Sequence, residues 1–444
     1  MRAGGRKSPP PQSFPLGRRL RRKHVHGMDE AASRLRMTAE NPRVTRTQEL
    51  ILKILLITKK NPYGTSPFGG AESSTRLLAE KMAARGHKAI YLTMGAGLHD
   101  KALAREAGVE LFAFPRPPGR RLPIFKALNR MLIQRTIRTL AMRYKVDLIY
   151  CFYELEVLEP ALRVREQLGW PKVVMRMAGI SWFDQVTRQL SLAPRYQGAF
   201  RSVDSINFIS EGLMAMTDNK LSDLDMQMQF RDNFVQDIGS SAQPGREPEY
   251  ADLPAAPFRI IMATRFSEQQ KRQDLLIRAA ALLPRDLQVE IVLSGDGKNL
   301  PKMKALATEL GVTDQITFLP FLDQSALWCR LQQTHLMCHA TDYEGLGKVI
   351  VEAMAKGLPV LASDVAPLNG YIREGENGFL VGNTPEAWAA RIAELYARRE
   401  DLARVSEAAM VFAAEHWDPD RSIEVYEDYF FTLVGGIHRQ IHQR

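Results

Sequence analysis

The segment Thr341-Asp-Tyr-Glu344-Gly345-Leu346-Gly347-Lys-Val-Ile-Val-Glu352 places two carboxylates eight residues apart around a glycine-bearing turn. It follows an apolar, strand-like stretch and opens one of helical period. The first turn of such a helix presents free backbone N–H groups and the positive end of the helix dipole, which suits an anion. Glu344 falls in the turn and Glu352 about one turn inside the helix. Two carboxylates so placed can accept hydrogen bonds from ligand hydroxyls on both sides of a bound phosphate. A polyhydroxylated anion fits that pair. The spacing alone also describes a helix cap followed by a solvated helical Glu.

The elements that must position this turn are legible from periodicity. From Leu50 onward, short apolar and often β-branched runs alternate with longer helical stretches, the pattern of a parallel sheet with crossover helices. Strands are expected at 53–58, 89–93, 109–114, 148–152, 172–176 and 205–208, and again at 258–264, 289–294, 315–318, 335–339 and 359–362. The fold class is therefore α/β, with two doubly wound domains in tandem. The expected divisions are a basic leader at 1–48, a first domain at 49–240, a Pro-punctuated connection at 241–257, a second domain at 258–415 and a last helix at 416–444 that returns to the first domain. Ligands of such sheets bind at the carboxyl ends of the strands, so a cleft between the domains is the expected site.

Composition narrows the function classes. The 444 residues are 45% hydrophobic and 25% charged, and no uncharged apolar stretch is long enough to span a membrane. The net charge of +10 resides in the leader: residues 1–48 hold 12 Lys and Arg against 3 Asp and Glu, and the remainder is nearly neutral. That leader is expected to be disordered, and Met28 or Met37 are alternative starts. Three cysteines with no CxxC spacing argue against a disulfide framework or a zinc site and for a reducing cytoplasm. Cys151, Cys329 and Cys338 each read as core packing. The triplets Asp223-Leu-Asp225 and Asp418-Pro-Asp420 do not follow a buried strand and read as polar loop or helix-start residues, so no metal site is expected. The first-domain loop lacks the GxGxxG of a dinucleotide fold.

The Glu344 to Glu352 run resembles the Glu-x7-Glu motif of retaining glycosyltransferases of family 4, which have the two-domain GT-B fold of tandem Rossmann-like units. Gly357-Leu-Pro-Val-Leu-Ala-Ser, Glu374-Gly-Glu-Asn-Gly-Phe-Leu-Val381, Ile291-Val-Leu-Ser-Gly-Asp-Gly297 and the Gly-Gly-Ala-Glu that starts at Gly69 are similar to that family in the same order. The resemblance implies that Glu352 meets the ribose of a nucleoside-diphosphate sugar and Glu344 the transferred sugar. It also implies that the amides around Gly345, Leu346 and Gly347 face the diphosphate. Arg265 and Lys271 would be the phosphate-binding cations, with Arg272 an adjacent candidate, and Gly69 and Gly70 would line the donor. Catalytic roles fall to Arg265, Lys271 and Glu344. Two fixed cations would stabilise the departing diphosphate in place of a metal, and no other cofactor is implied. Family members often carry a His near the acceptor where this chain has Arg176, which becomes the acceptor-side candidate. Many also have a Glu where Gly370 stands.

Residues 111–146 carry nine Lys and Arg and no Asp or Glu, with Ile124, Phe125, Leu128, Met131, Leu132, Leu140 and Tyr144 at helix-like spacing. Such a helix can lie on an anionic membrane through residues 116–145, or simply pack its apolar stripe on the sheet. The leading expectation is a metal-independent retaining glycosyltransferase acting on a glycan or lipid-linked acceptor, cytoplasmic or peripheral on the inner face of the membrane, with no specific nucleic-acid partner. The alternatives are an isomerase or phosphorylase using the same cleft, and a non-enzymatic nucleic-acid or membrane-binding module.

Overall fold

The computed structural model describes residues 51–65, 68–114, 123–179, 181–223, 257–266 and 270–441. The leader, most of the Pro-punctuated connection, Asp225 and the first part of the basic run lie outside the described residues.

Two six-stranded sheets carry the fold, and every pairing in both is parallel. The first contains β1 (Lys53–Ile57), β2 (Lys88–Met94), β3 (Glu110–Phe114), β4 (Leu148–Phe152), β5 (Lys172–Met177) and β6 (Ser205–Phe208), in the order β3-β2-β1-β4-β5-β6. The second contains β7 (Phe258–Ala263), β8 (Val289–Ser294), β9 (Ile316–Leu319), β10 (Leu336–His339), β11 (Val360–Ser363) and β12 (Phe379–Val381), in the order β12-β11-β10-β7-β8-β9. Each sheet is doubly wound, with its strand order reversing between β1 and β4 or between β7 and β10. Crevices for ligands open at those points.

Covered on both faces, the strands are apolar along most of their length. In β1, Ile54 and Leu56 pack into one core layer and Leu55 and Ile57 into the opposite one, as the two-residue period requires. The helix Pro419–Ile441 closes the first of these layers. Its Ile423, Tyr426, Phe430 and Val434 are buried with Leu52, Tyr91, Tyr150 and Val174 of the first sheet. Each such side chain contributes about 1.5–3 kcal/mol. Glu427 at the helix rim pairs with Arg85 and His87, so the end of the chain is bound to the first sheet.

Two details depart from expectation, and a third, the helix-start role of Asp418, agrees with it. The helix Pro123–Tyr144 buries Ile133, Ile137, Leu140 and Ala141 against the helix Leu155–Leu168, while Leu128 and Met131, expected on its apolar face, are exposed. Their period was read one step around the helix from the true contact stripe. Cys329 is exposed on the outer side of the helix Gln324–Leu331, so it is not a core residue, whereas Cys151 and Cys338 are buried. Asp418 caps the last helix, accepting from the amides of Asp420 and Arg421 at 2.8 Å each, and Asp420 pairs with Lys81.

Candidate active site

The carboxyl ends of both sheets line one cleft of about 470 Å³, and nearly every residue singled out in the sequence borders it. Lys271 is fixed there by backbone pairing with the loop that follows β10. It forms an antiparallel bridge with Thr341, flanked by Asp342 N–H donating to the Gln270 carbonyl at 2.9 Å and Arg272 N–H to the Ala340 carbonyl at 3.0 Å. The Lys271 ammonium thereby meets the Glu344 carboxylate, each side chain 12% exposed. Glu344 also accepts from the Gly345 amide at 3.0 Å, and its Oε2 lies 2.8 Å from His339 Nε2. The same Nε2 is 3.2 Å from Lys271 Nζ.

The charges in this cluster are settled by their neighbours. Burial works against ionisation of Glu344, but Lys271 and the His339 hydrogen bond outweigh it and hold the carboxyl well below the usual carboxylate range. Burial, reinforced by the Lys271 charge, pushes the His339 imidazole down, which keeps it neutral. Glu352 sits deeper, 6% exposed, and accepts from Gln324 Nε2 at 2.8 Å. Burial raises its pKa against the opposing pull of Lys348 and Gln324.

The turn between the two glutamates needs its glycines. Gly347 has φ +73°, a left-handed conformation that opens the helix Lys348–Ala355. Gly345 lies where a Cβ would come within 2.9 Å of the Ala178 carbonyl oxygen in the first lobe. Ser210 Oγ of that lobe donates to the Gly345 carbonyl at 2.7 Å. Opposite, Gly70 starts the helix Gly70–Ala84 against Lys348, whose Nζ donates to Ser73 Oγ at 3.0 Å. Two helix starts thus border the same cleft, an arrangement that favours an anion. The Gly69 amide is donated to Glu72 at 3.0 Å in a capping box.

The other candidates divide. Arg265 lines the cleft with an exposed side chain. Arg272 is paired through its guanidinium with Asp274 and Asp342 and is not among the residues that line the cleft, whereas Lys271 is. Arg176, fully buried, donates to Tyr150 at 3.0 Å and Tyr426 at 3.4 Å and so ties the cleft wall to the last helix. Gly370, in a short helix, has open space around it; Tyr371 beside it reaches the motif instead, donating to the Leu346 carbonyl at 2.5 Å.

Sequence reasoning missed His339, Gln324, Tyr371 and the first-lobe group Lys59, Tyr153, Glu154 and Ser181. No spacing rule joins them to Glu344 or Glu352. Glu154 follows β4 at the cleft wall. Burial raises its pKa, opposed by Lys59, and Tyr153 and Ser181 share a hydrogen bond of 2.7 Å beside it.

Comparison with known proteins agrees with this geometry. The family model described as "Glycosyl transferases group 1" matches residues 247–411, and that described as "Glycosyltransferase Family 4" matches residues 68–211. A D-inositol 3-phosphate glycosyltransferase of Nocardia farcinica is 37% identical over 183 residues, covering 39% of this chain and 41% of that protein's length. The lipopolysaccharide core biosynthesis glycosyltransferase LpsE of Rhizobium meliloti is 28% identical over 50% of this chain and 66% of its own. The structure of Anabaena HepE in complex with UDP-glucose superposes with a TM-score of 0.65 at 21% identity, covering 85% of this chain and 99% of that one. With both lobes matched in order and both sheets wound alike, the chain belongs to the group 1 glycosyltransferases of family 4.

Proposed function

We propose that this chain transfers a sugar from a nucleoside-diphosphate sugar to a glycan or glycolipid acceptor, with retention at the anomeric carbon and no metal ion. The observation that carries this reading is Lys271, a largely enclosed ammonium fixed by backbone pairing at a cleft bordered by two helix starts. In the transfer, the bond from the anomeric carbon to the diphosphate oxygen breaks and its electron pair leaves on the diphosphate, while the acceptor oxygen bonds on the same face and its hydroxyl proton passes to the departing diphosphate oxygen. Lys271 and Arg265 would meet the developing negative charge, which preorganised cations in a poorly hydrated site stabilise strongly. Glu344 and Glu352 would accept from hydroxyls of the sugar and the ribose. Glu72, Tyr153, Glu154 and Arg176 form the wall facing them and would receive the acceptor.

A panel of nucleotide sugars screened by thermal shift tests the reading, because a ligand specific for the folded state raises its stability with the logarithm of concentration. The expected result is one stabilising donor, nucleoside diphosphate released only when acceptor is present, and turnover indifferent to EDTA. Activity lost in EDTA and restored by manganese would overturn it. Glu352→Gln should weaken donor binding about tenfold or more, the loss of a charge-assisted hydrogen bond. A carboxyl whose pKa is raised by folding costs stability progressively as the pH rises from its unfolded value through its folded one. The ligand-free Glu352→Gln protein should therefore melt no lower than the parent at pH 7, with any advantage shrinking in acid.

A lipid-linked acceptor is supported by the outer face of the helix Pro123–Tyr144, where Leu128, Met131 and Met142 stand exposed among Arg135, Arg138 and Arg143. The proposal places the enzyme on the cytoplasmic side of an anionic membrane. Among the described residues no helix is long and apolar enough to cross one. Replacing Arg135 and Arg138 together by serine should lower partitioning onto phosphatidylglycerol-containing vesicles roughly 25-fold, about 1 kcal/mol per charge. Unchanged cosedimentation would sink the membrane assignment.

A further inference from the structure

We infer that His339 is the positioning residue that frees Lys271 for the donor: its Nε2–H holds the Glu344 carboxylate when Lys271 turns to the diphosphate. The inference rests on the function proposed above and adds a residue to it. Without ligand, the Lys271 ammonium is committed to Glu344. An ammonium already paired with a carboxylate offers a phosphate little net charge, and a buried carboxylate deprived of its partner is strongly disfavoured. Glu344 therefore needs a second donor before Lys271 can leave.

His339 is placed to be that donor. It is 1% exposed, borders the cleft and sits at the end of β10, five residues before Glu344. Its Nε2 is 2.8 Å from Glu344 Oε2 and 3.2 Å from Lys271 Nζ. One ring nitrogen cannot donate to the carboxylate and accept from the ammonium at once, so the proton's position records which partner the ring serves. The tautomer of a histidine is ordinarily set by the bond its other nitrogen makes. Here Nδ1 is buried with no hydrogen-bond partner among the described residues, so Nε2 is governed by Glu344 and Lys271. With a proton on Nε2, His339 and the Gly345 amide together hold the carboxylate. The departure of Lys271 then opens Oε2 to a sugar hydroxyl.

Nitrogen-15 shifts of histidine-labelled protein test this without any ligand, the His339 signal being assigned by its loss in His339→Gln. The proton is expected on Nε2 in the parent and in Lys271→Met, and on Nδ1 in Glu344→Gln, where Nε2 is left to accept from Lys271. A proton that stays on Nε2 in Glu344→Gln, or that leaves Nε2 in Lys271→Met, overturns the inference. Titration with UDP and GDP supplies the second arm. For whichever nucleotide the parent binds, His339→Ala should weaken binding about ten- to a hundredfold, the worth of one hydrogen bond to a charged group. His339→Gln, whose amide keeps a donor, should restore most of it. Adding Glu344→Gln to His339→Ala should also restore it, because the amide no longer captures Lys271. A merely structural histidine would not be rescued by Glu344→Gln, and that failure would overturn the inference. Failure of the parent to bind either nucleotide counts against the proposed function, while the ligand-free shifts still decide the role of His339.

Discussion

Lys271→Ala should lower the turnover number by about 100- to 1000-fold, some 3–4 kcal/mol of lost transition-state stabilisation, while the protein still folds. The size follows from how Lys271 is held. Its backbone is paired with Thr341 and its side chain is 12% exposed, so the ammonium has only to turn from Glu344 to the diphosphate as charge develops there. Arg265 is exposed and must be ordered during the reaction, so Arg265→Ala should cost less, about tenfold. The fold survives Lys271→Ala because Glu344 borders the open cleft and keeps the Gly345 amide and His339 as partners. Turnover with the donor identified by thermal shift, measured beside far-ultraviolet circular dichroism, checks both halves. A folded Lys271→Ala enzyme working within threefold of the parent would remove the cation from the mechanism.

Gly345→Ala should cost about 100-fold in kcat/KM without unfolding either lobe. A Cβ at this position would lie 2.9 Å from the Ala178 carbonyl oxygen and 3.2 Å from Ile209 Cδ1, and a backbone carbonyl cannot swing aside as a flexible side-chain end can. The added methyl must push the lobes apart, stretching the hydrogen bond of 2.7 Å from Ser210 to the Gly345 carbonyl. A misplacement near 1 Å between reacting groups costs on the order of 100-fold. Gly370→Ala is the control: nothing lies within 4 Å of its added Cβ, and activity should be unchanged. Small-angle scattering should show Gly345→Ala more open than the parent. Parental kinetics in Gly345→Ala would show that the approach of the lobes is not what aligns the site.

Regular elements are largely legible in the sequence, and the exceptions have physical causes. The strands Leu148–Phe152 and Val289–Ser294 coincide with the residues expected from periodicity. The helix Leu98–Glu106 went unread because Ala104 is its one buried residue, which leaves no apolar period to detect. In the helix Pro123–Tyr144 apolar residues occur on more than one face, so its amphipathic reading chose Leu128 and Met131, while the sheet layer took Ile133 and Ile137. Arg272 could not be separated from Lys271 by spacing. Asp274 and Asp342, one of them 70 residues away in the chain, hold the Arg272 guanidinium, while Lys271 borders the cleft.

What local chemistry settles is the α/β architecture, the tandem repetition and the glycine turn carrying Glu344 and Glu352, because hydrophobic period, turn residues and the left-handed need of Gly347 act within a few residues of one another. What folding alone could settle is the charge network. His339 is 68 residues from Lys271 in the chain, and the last helix lays Tyr426 on Arg176 across 250. Such contacts depend on strand order and on the packing of one lobe against the other. Burial at those meeting points then determines which groups hold a charge and which surrender it.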